Sequence, residues 1–159
     1  VTAGFTMLKL NEKIPAFSTN ATSENFITNE SLIGKKTVIY FYPKDNTPGC
    51  TTEGQNFRDA IEQFNDSNTI IYGVSRDSLK VHENFKKKHA FPFELISDPE
   101  EVFCKLFDVI KLKKLYGKEY MGIERSTFLI DEQGVLKQEW RKVKVKEHVA
   151  EVLEACKAL

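Results

Sequence analysis

Thr37-Val-Ile-Tyr-Phe-Tyr-Pro-Lys-Asp-Asn-Thr-Pro-Gly-Cys50 is the stretch on which the fold turns. Its first six residues are β-branched or aromatic, the composition of a strand buried on both faces. Pro43 ends that strand, because it has no N–H to give to a ladder. Asp45-Asn-Thr-Pro-Gly49 has turn chemistry. Beyond it Phe57, Ile61 and Phe64 fall at helical spacing, which predicts a helix from Cys50 to about Phe64. Cys50 thus stands where a buried strand hands over to a helix. In open α/β sheets ligands bind at such turns. The unpaired N–H groups and positive dipole end of a helix N-terminus favour a thiolate, the nucleophilic form of cysteine. A buried structural thiol is the bland alternative, and it fits a Pro-Gly loop poorly.

Outward from this unit the chain repeats the pattern. Thr69-Ile-Ile-Tyr-Gly-Val-Ser75 reads as a second buried strand. Ser78 caps a predicted helix that carries Leu79, Val81 and Phe85 and ends near Phe91-Pro92. Glu94–Ser97 is a short extended piece, and Asp98-Pro99 opens a helix over 99–108. Arg125–Asp131 and Val135–Arg141, joined at Glu132-Gln-Gly134, form an antiparallel hairpin. A final amphipathic helix carries Val145, Val149, Val152, Leu153 and Cys156. The polar run Ser18–Asn25 suggests a hairpin-like start. Alternating strands and helices imply crossovers and a covered sheet, and the terminal hairpin makes that sheet mixed. The expected class is α/β, a thioredoxin-like sandwich with a central mixed β-sheet flanked by helices. A flavodoxin-like sheet would not naturally end in a hairpin plus helix.

The chain has 159 residues, enough for one well-buried domain, and 23 basic residues balance 23 acidic ones. Zero formal charge argues against a protein that grips nucleic acid or an anionic membrane. No apolar run is long enough to span a bilayer. Residues 1–6 have no signal-peptide character, and Met7 reads as a native start, so 1–6 are expected to be a non-native leader and 7–159 a single domain. Few cysteines and no targeting signal point to a reducing cytoplasm. His82, His89 and His148 have no chelating spacing, so no zinc site is expected. No nucleotide-binding glycine pattern occurs. Lys86–Lys88, Lys111…Lys114 and Arg141…Lys146 read as solvated faces that would at most attract an acidic partner.

Around Cys50, Thr47 lies three residues upstream, where its hydroxyl can fold over the same turn and meet a ligand at the sulfur. By itself it is also an ordinary cap. Arg125 opens an apolar strand. From position alone two readings stand equally: a rim arginine beside Cys50 whose fork holds an oxygen substrate, or a surface arginine paired with Glu124.

Pro43-x-x-x-Thr47-x-x-Cys50 with a distant Arg125 resembles the active site of the peroxiredoxins. Phe41–Glu53, together with Tyr116-Gly-Lys and Gly122–Asp131, resembles the peroxiredoxin Q branch, also called bacterioferritin comigratory protein. The resemblance runs from about Leu8 to the C-terminus. It implies a thiol peroxidase for hydrogen peroxide and small organic hydroperoxides, without metal or organic cofactor. Cys50 would attack the terminal peroxide oxygen and become a sulfenic acid. Thr47 would hydrogen-bond the peroxide. Arg125 would stabilise thiolate and leaving oxygen, Pro43 would shield the sulfur, and Glu53 would orient Arg125. A thioredoxin- or glutaredoxin-type reductant and a monomeric state are implied likewise. A peroxide-sensing module with little turnover is the alternative function.

The sequence departs from the branch where a resolving cysteine is expected. Five residues after Cys50 stands Gln55, and the second family position, near Phe85–Lys86, has no cysteine either. Cys104 lies off the stripe Val102, Phe103, Leu106 and Phe107, beside acidic residues. It reads as a reachable but sluggish thiol, either a resolver or a plain partly exposed cysteine. Cys156 sits on the last helix's apolar stripe and reads as core. The remaining option is a one-cysteine cycle closed by an external thiol.

Overall fold

A computed structural model of the protein describes residues 8–159, so the expected leader at 1–6 and the start at Met7 lie outside the described residues. In chain order the elements are β1 (Ser18–Ala21), β2 (Asn25–Thr28), a 3-10 turn (Asn29–Leu32), β3 (Lys36–Phe41), α1 (Pro48–Asp59), α2 (Ile61–Asp66), β4 (Thr69–Ser75), α3 (Leu79–His89), β5 (Glu94–Ser97), α4 (Val102–Leu106), β6 (Ile110–Leu115), β7 (Lys118–Ile123), β8 (Ser126–Ile130), β9 (Leu136–Trp140) and α5 (His148–Ala158).

Among the described residues one seven-stranded sheet runs β2-β1-β5-β4-β3-β8-β9, and β6-β7 form a separate antiparallel pair. β3 pairs in parallel with β4, and β4 with β5. β8 is antiparallel to β3, and β9 to β8. The sheet is therefore mixed, with helices on it, as in the thioredoxin-like sandwich.

β3 shows why the sheet needs two covers. Its side chains alternate between faces. Val38 and Tyr40 join one core with Phe57, Phe64, Leu95 and Val152. Ile39 and Phe41 join the other with Val74, Phe107, Phe128 and Ile130. Both sets are essentially inaccessible to solvent, and their burial is the main driving force for the layered form.

Three sequence expectations change. The helix predicted over Cys50–Phe64 is two helices, broken at Ala60 (φ −100°, ψ 6°), with no Gly or Pro at the joint to announce it. The helix predicted over 99–108 is only α4. Glu101 takes a left-handed conformation (φ 65°), and the Asp98 carboxylate accepts the amides of Phe103 (3.2 Å) and Cys104 (2.7 Å). Phe103, Leu106 and Phe107 are buried as their stripe predicts, but that anchoring turns the short helix so that Val102 is exposed and Cys104, expected to be reachable, is fully buried. The Lys-rich run near 111–114 is a strand of a hairpin. Its two-residue loop, Tyr116-Gly117, has both φ values positive (51° and 77°), which suits the twist of paired strands.

Candidate active site

The site is assembled by the handover from β3 to α1. Thr47 is the extended N-cap residue (φ −91°, ψ 151°), and Pro48 stands in the first helical turn. Proline is preorganised there, since its missing N–H would have had no helical partner. The Thr47 carbonyl accepts the first helical bond from Thr51 N at 2.9 Å. Cys50, in that turn, is only 2% exposed.

Sheet register brings Arg125 to it. Ser126 pairs with Phe41 across antiparallel β3 and β8, so Arg125 stands beside Tyr42, where the chain leaves the sheet for the loop. Its backbone carbonyl accepts from Val143 N at 2.9 Å. The guanidinium then divides its fork: Nη2 donates to Cys50 Sγ at 3.3 Å and Nη1 to Glu53 Oε1 at 2.6 Å. Of the two positional readings of Arg125, the one beside Cys50 is the geometry found. Gly49 leaves room for the fork, because a Cβ there would lie 3.2 Å from Arg125 Nη2.

Glu53 follows Cys50 by three residues on one helix face and is fully buried. Oε2 has no hydrogen-bond partner. Burial drives its pKa up to about 7, against the opposing pull of Arg125. Burial lowers the pKa of Arg125, but the charges of Glu53 and Cys50 outweigh it and leave the guanidinium more firmly protonated than usual. Lys113 on β6 comes under the same local field. Burial and the positive charge of Arg125 lower its pKa. His148 Nε2 lies 2.7 Å from Thr127 Oγ1, and burial, aided by Arg125, lowers its pKa to about 4.

The other predicted residues occupy the same loop. Pro43 is half-buried at its start. Thr47 Oγ1 donates to the Lys44 carbonyl at 2.8 Å, so its lone pairs remain free to accept a hydrogen bond. Gln55 is half-buried, with Nε2 3.5 Å from His89 Nδ1. Cys104 and Cys156 are both inaccessible. Burial, and then Asp98, drives the Cys104 thiol's pKa strongly upward. Burial pushes Cys156 up to about 11.

Sequence reasoning missed Asp45 and His82. Both are buried, and Asp45 Oδ2 and His82 Nδ1 are 2.5 Å apart. The contact spans 37 positions, so spacing could not disclose it. Set between Lys44 and Asn46 in a polar turn, Asp45 carried no local sign of its burial. Asp45, Asp77 and His82 place potential ligand atoms within 4.8 Å of one another. In this structure, however, the closest two are bonded to each other.

A family model described as the AhpC/TSA family matches residues 10–139. The chain is 51% identical over 150 residues to "Peroxiredoxin Bcp" of Bacillus subtilis (strain 168), covering 94% of this chain and 96% of that protein. It superposes with TM-score 0.90 on the crystal structure of a cysteine-to-serine mutant of Xylella fastidiosa PrxQ, at 40% identity and covering 96% of this chain and 98% of that one. It superposes with TM-score 0.85 on Xanthomonas campestris bacterioferritin comigratory protein, at 48% identity and covering 89% and 90%. That structure is of a trapped intermediate/ligand complex and bears on the protein's alkyl peroxide reduction activity. The chain belongs to the AhpC/TSA family, in its peroxiredoxin Q/Bcp branch.

Proposed function

We propose that this thiol peroxidase completes its cycle on Cys50 alone, with an external thiol as reductant. The single observation that carries the chemistry is the fork of Arg125, with one nitrogen 3.3 Å from Cys50 Sγ and the other on Glu53. In the first half-reaction the Cys50 thiolate attacks the terminal oxygen of ROOH. The O–O bond breaks, Cys50 becomes a sulfenic acid, and the leaving RO⁻ takes a proton to become alcohol or water. Arg125 faces both the sulfur and the charge that develops on the leaving oxygen, where a fixed cation has most effect. Thr47 accepts the peroxide O–H, and Pro43 walls the loop. The alkyl peroxide activity of the Xanthomonas campestris relative supports small organic hydroperoxides as substrates beside hydrogen peroxide.

In the second half-reaction a thiol R′SH attacks the sulfenic sulfur, releasing water and leaving a mixed disulfide. A second R′SH, of thioredoxin or glutaredoxin type, frees Cys50 and leaves as R′SSR′. Geometry supports an external donor. Cys104 belongs to the core on the opposite sheet face from Cys50. The Cys156 carbonyl accepts from Lys36 Nζ at 2.8 Å, at the start of β3, whereas Cys50 follows the end of that six-residue strand. The strand alone spans roughly 17 Å, far beyond the Cβ separation of about 3.8 Å that a disulfide needs. The sensor alternative is not favoured, since the named relatives are peroxiredoxins.

The reading takes 7–159 as one catalytic unit, a monomer in the cytoplasm. Three free cysteines suit a reducing compartment, and no described helix is long and apolar enough to cross a membrane. The test is peroxide consumption with dithiothreitol, and then with thioredoxin or glutaredoxin, for Cys50→Ser, Cys104→Ser and Cys156→Ser. Cys50→Ser should be inactive and the other two should turn over like the parent. A stall after one turnover in Cys104→Ser or Cys156→Ser would show that the missing thiol is the resolver.

A further inference from the structure

The Cys50 loop is open to solvent on nearly every residue but one. Lys44 and Asn46 are exposed and Pro43 and Thr47 half-buried, while Asp45 is 3% exposed and turned inward. Every polar group that Asp45 sends inward is matched. Its amide donates to Asp77 Oδ2 at 2.9 Å, and Oδ1 accepts from the Tyr42 hydroxyl at 2.6 Å. Oδ2 accepts from His82 Nδ1 at 2.5 Å. His82 is itself fixed, with Nε2 3.0 Å from the Ile96 carbonyl. Both ring nitrogens thus face oxygen partners. Asp77 Oδ2 also accepts from Ser75 Oγ, and Ser97 Oγ donates to the Asp77 carbonyl at 2.6 Å. One side chain thus ties the catalytic loop to the ends of β4 and β5 and to α3. A buried pair of this kind has one geometry in which it is satisfied, which makes it a register device.

The two half-reactions ask opposite things of that loop. A peroxide is small and reacts with the sulfur held against Arg125. A thiol reductant must bring its own sulfur onto Cys50, which is 2% exposed. We propose that Asp45, held by its buried bond to His82, is the positioning residue of the Cys50 loop, setting the balance between rapid attack on peroxide and access of the reducing thiol. The proposal rests on the external-thiol reading above. Held, the loop keeps Thr47, Cys50 and Arg125 aligned. Released, it lets the sulfenic sulfur turn outward.

The test measures the half-reactions separately in the full chain. Peroxide attack is followed in single turnover by competition with a reporter peroxidase. Reduction is followed by mixing pre-formed Cys50 sulfenic acid with dithiothreitol. In His82→Leu the peroxide step should slow about 10- to 100-fold, since misplacing a reacting group by about an ångström has effects of that order, while dithiothreitol reduces the sulfenic acid several-fold faster. Asp45→Asn is the conservative rescue. Its amide can donate to a His82 ring protonated on Nε2 and still accept from Tyr42, so both steps should stay within about threefold of the parent. Tyr42→Phe deletes one hydroxyl and keeps the ring packing. It carries the same test at smaller amplitude if His82→Leu does not fold. Rates that fall together, or that both stay unchanged, would overturn the proposal, because a merely structural role moves stability without opposing shifts. Parent protein that dithiothreitol could not reduce at all would instead overturn the external-thiol reading.

Discussion

Replacing Glu53 by Gln separates the stability of the site from its chemistry. Glu53 is fully buried, one carboxylate oxygen is bonded to Arg125 at 2.6 Å, and the other has no partner. Burial carries its pKa from the ordinary 4.5 to about 7, even with Arg125 pulling the other way. The folded chain therefore binds this proton more tightly than the unfolded chain. The group's ionised form weakens the fold, and the weakening grows as pH rises from 4.5 through 7. At about 1.4 kcal/mol for each tenfold change in proton affinity, the full effect is on the order of 3 kcal/mol above pH 7. Glutamine is fixed in the neutral form. Glu53→Gln should therefore unfold at higher denaturant than the parent at about pH 8, by up to about 3 kcal/mol, and the two should converge near pH 4.5. Activity should move in the opposite sense. A neutral amide oxygen holds the guanidinium less firmly than a carboxylate, and the peroxide step should fall about tenfold, since a charge-assisted bond is roughly twice as strong as a neutral one. The assay is urea unfolding of both proteins from about pH 4.5 to about pH 8.5 beside single-turnover peroxide kinetics. A Gln variant less stable than the parent at the alkaline end would show that the ionised pair is a net stabiliser and overturn the prediction.

Two further substitutions probe the fork itself. Arg125→Lys keeps the charge but cannot reach Cys50 Sγ and Glu53 Oε1 at once, so single-turnover peroxide kinetics should slow about 10²-fold, the scale of losing one preorganised donor. Gly49→Ala should place a Cβ 3.2 Å from Arg125 Nη2 and press the fork off the sulfur. The peroxide step should then slow several-fold while the melting temperature holds or rises, since alanine suits a helix better than glycine by roughly 0.5–1 kcal/mol. A matched loss of stability and rate would locate the effect in folding instead.

What the sequence disclosed follows the range of its signals. β3, β4 and β8 were legible because a strand buried on both faces needs an unbroken apolar run, and their residues supply one. The place of Cys50 was legible because strand end, turn and helix start are all local. Arg125 was not fixed by its own neighbourhood. Only the pairing of Ser126 with Phe41, across 85 positions, decides that it faces the sulfur rather than solvent. Cys104 was misjudged for a similar reason. The apolar stripe assumed a helix from Pro99, but the Asp98 carboxylate caps amides five and six residues on, and the shortened helix turns its cysteine inward. The β6–β7 hairpin was hidden by composition, since alternating lysine and leucine read as a charged face and Tyr-Gly is not a strong turn pair.

A chain with no net charge still concentrates positive charge at one sulfur. Arg125 is held between two acids, the buried Glu53 and the Cys50 thiol, so its field is shared. With a pKa of about 7, Glu53 is partly protonated at neutral pH. In that fraction of molecules the guanidinium charge is directed wholly at the sulfur. In the rest it is half neutralised but more rigidly aimed. His148 does not compete as a cation, because its pKa of about 4 leaves the ring neutral. Lys113 adds a second positive group from β6, and burial beside Arg125 makes that ammonium readier than usual to lose its proton. The result is a small positive field supplied by two side chains from the β6–β8 region and trimmed by one carboxyl from α1. It acts on a sulfur that bulk solvent barely reaches, where a fixed charge is least screened. A neutral hydroperoxide needs no attraction from a distance, so the remaining charge on the surface can cancel without affecting the reaction.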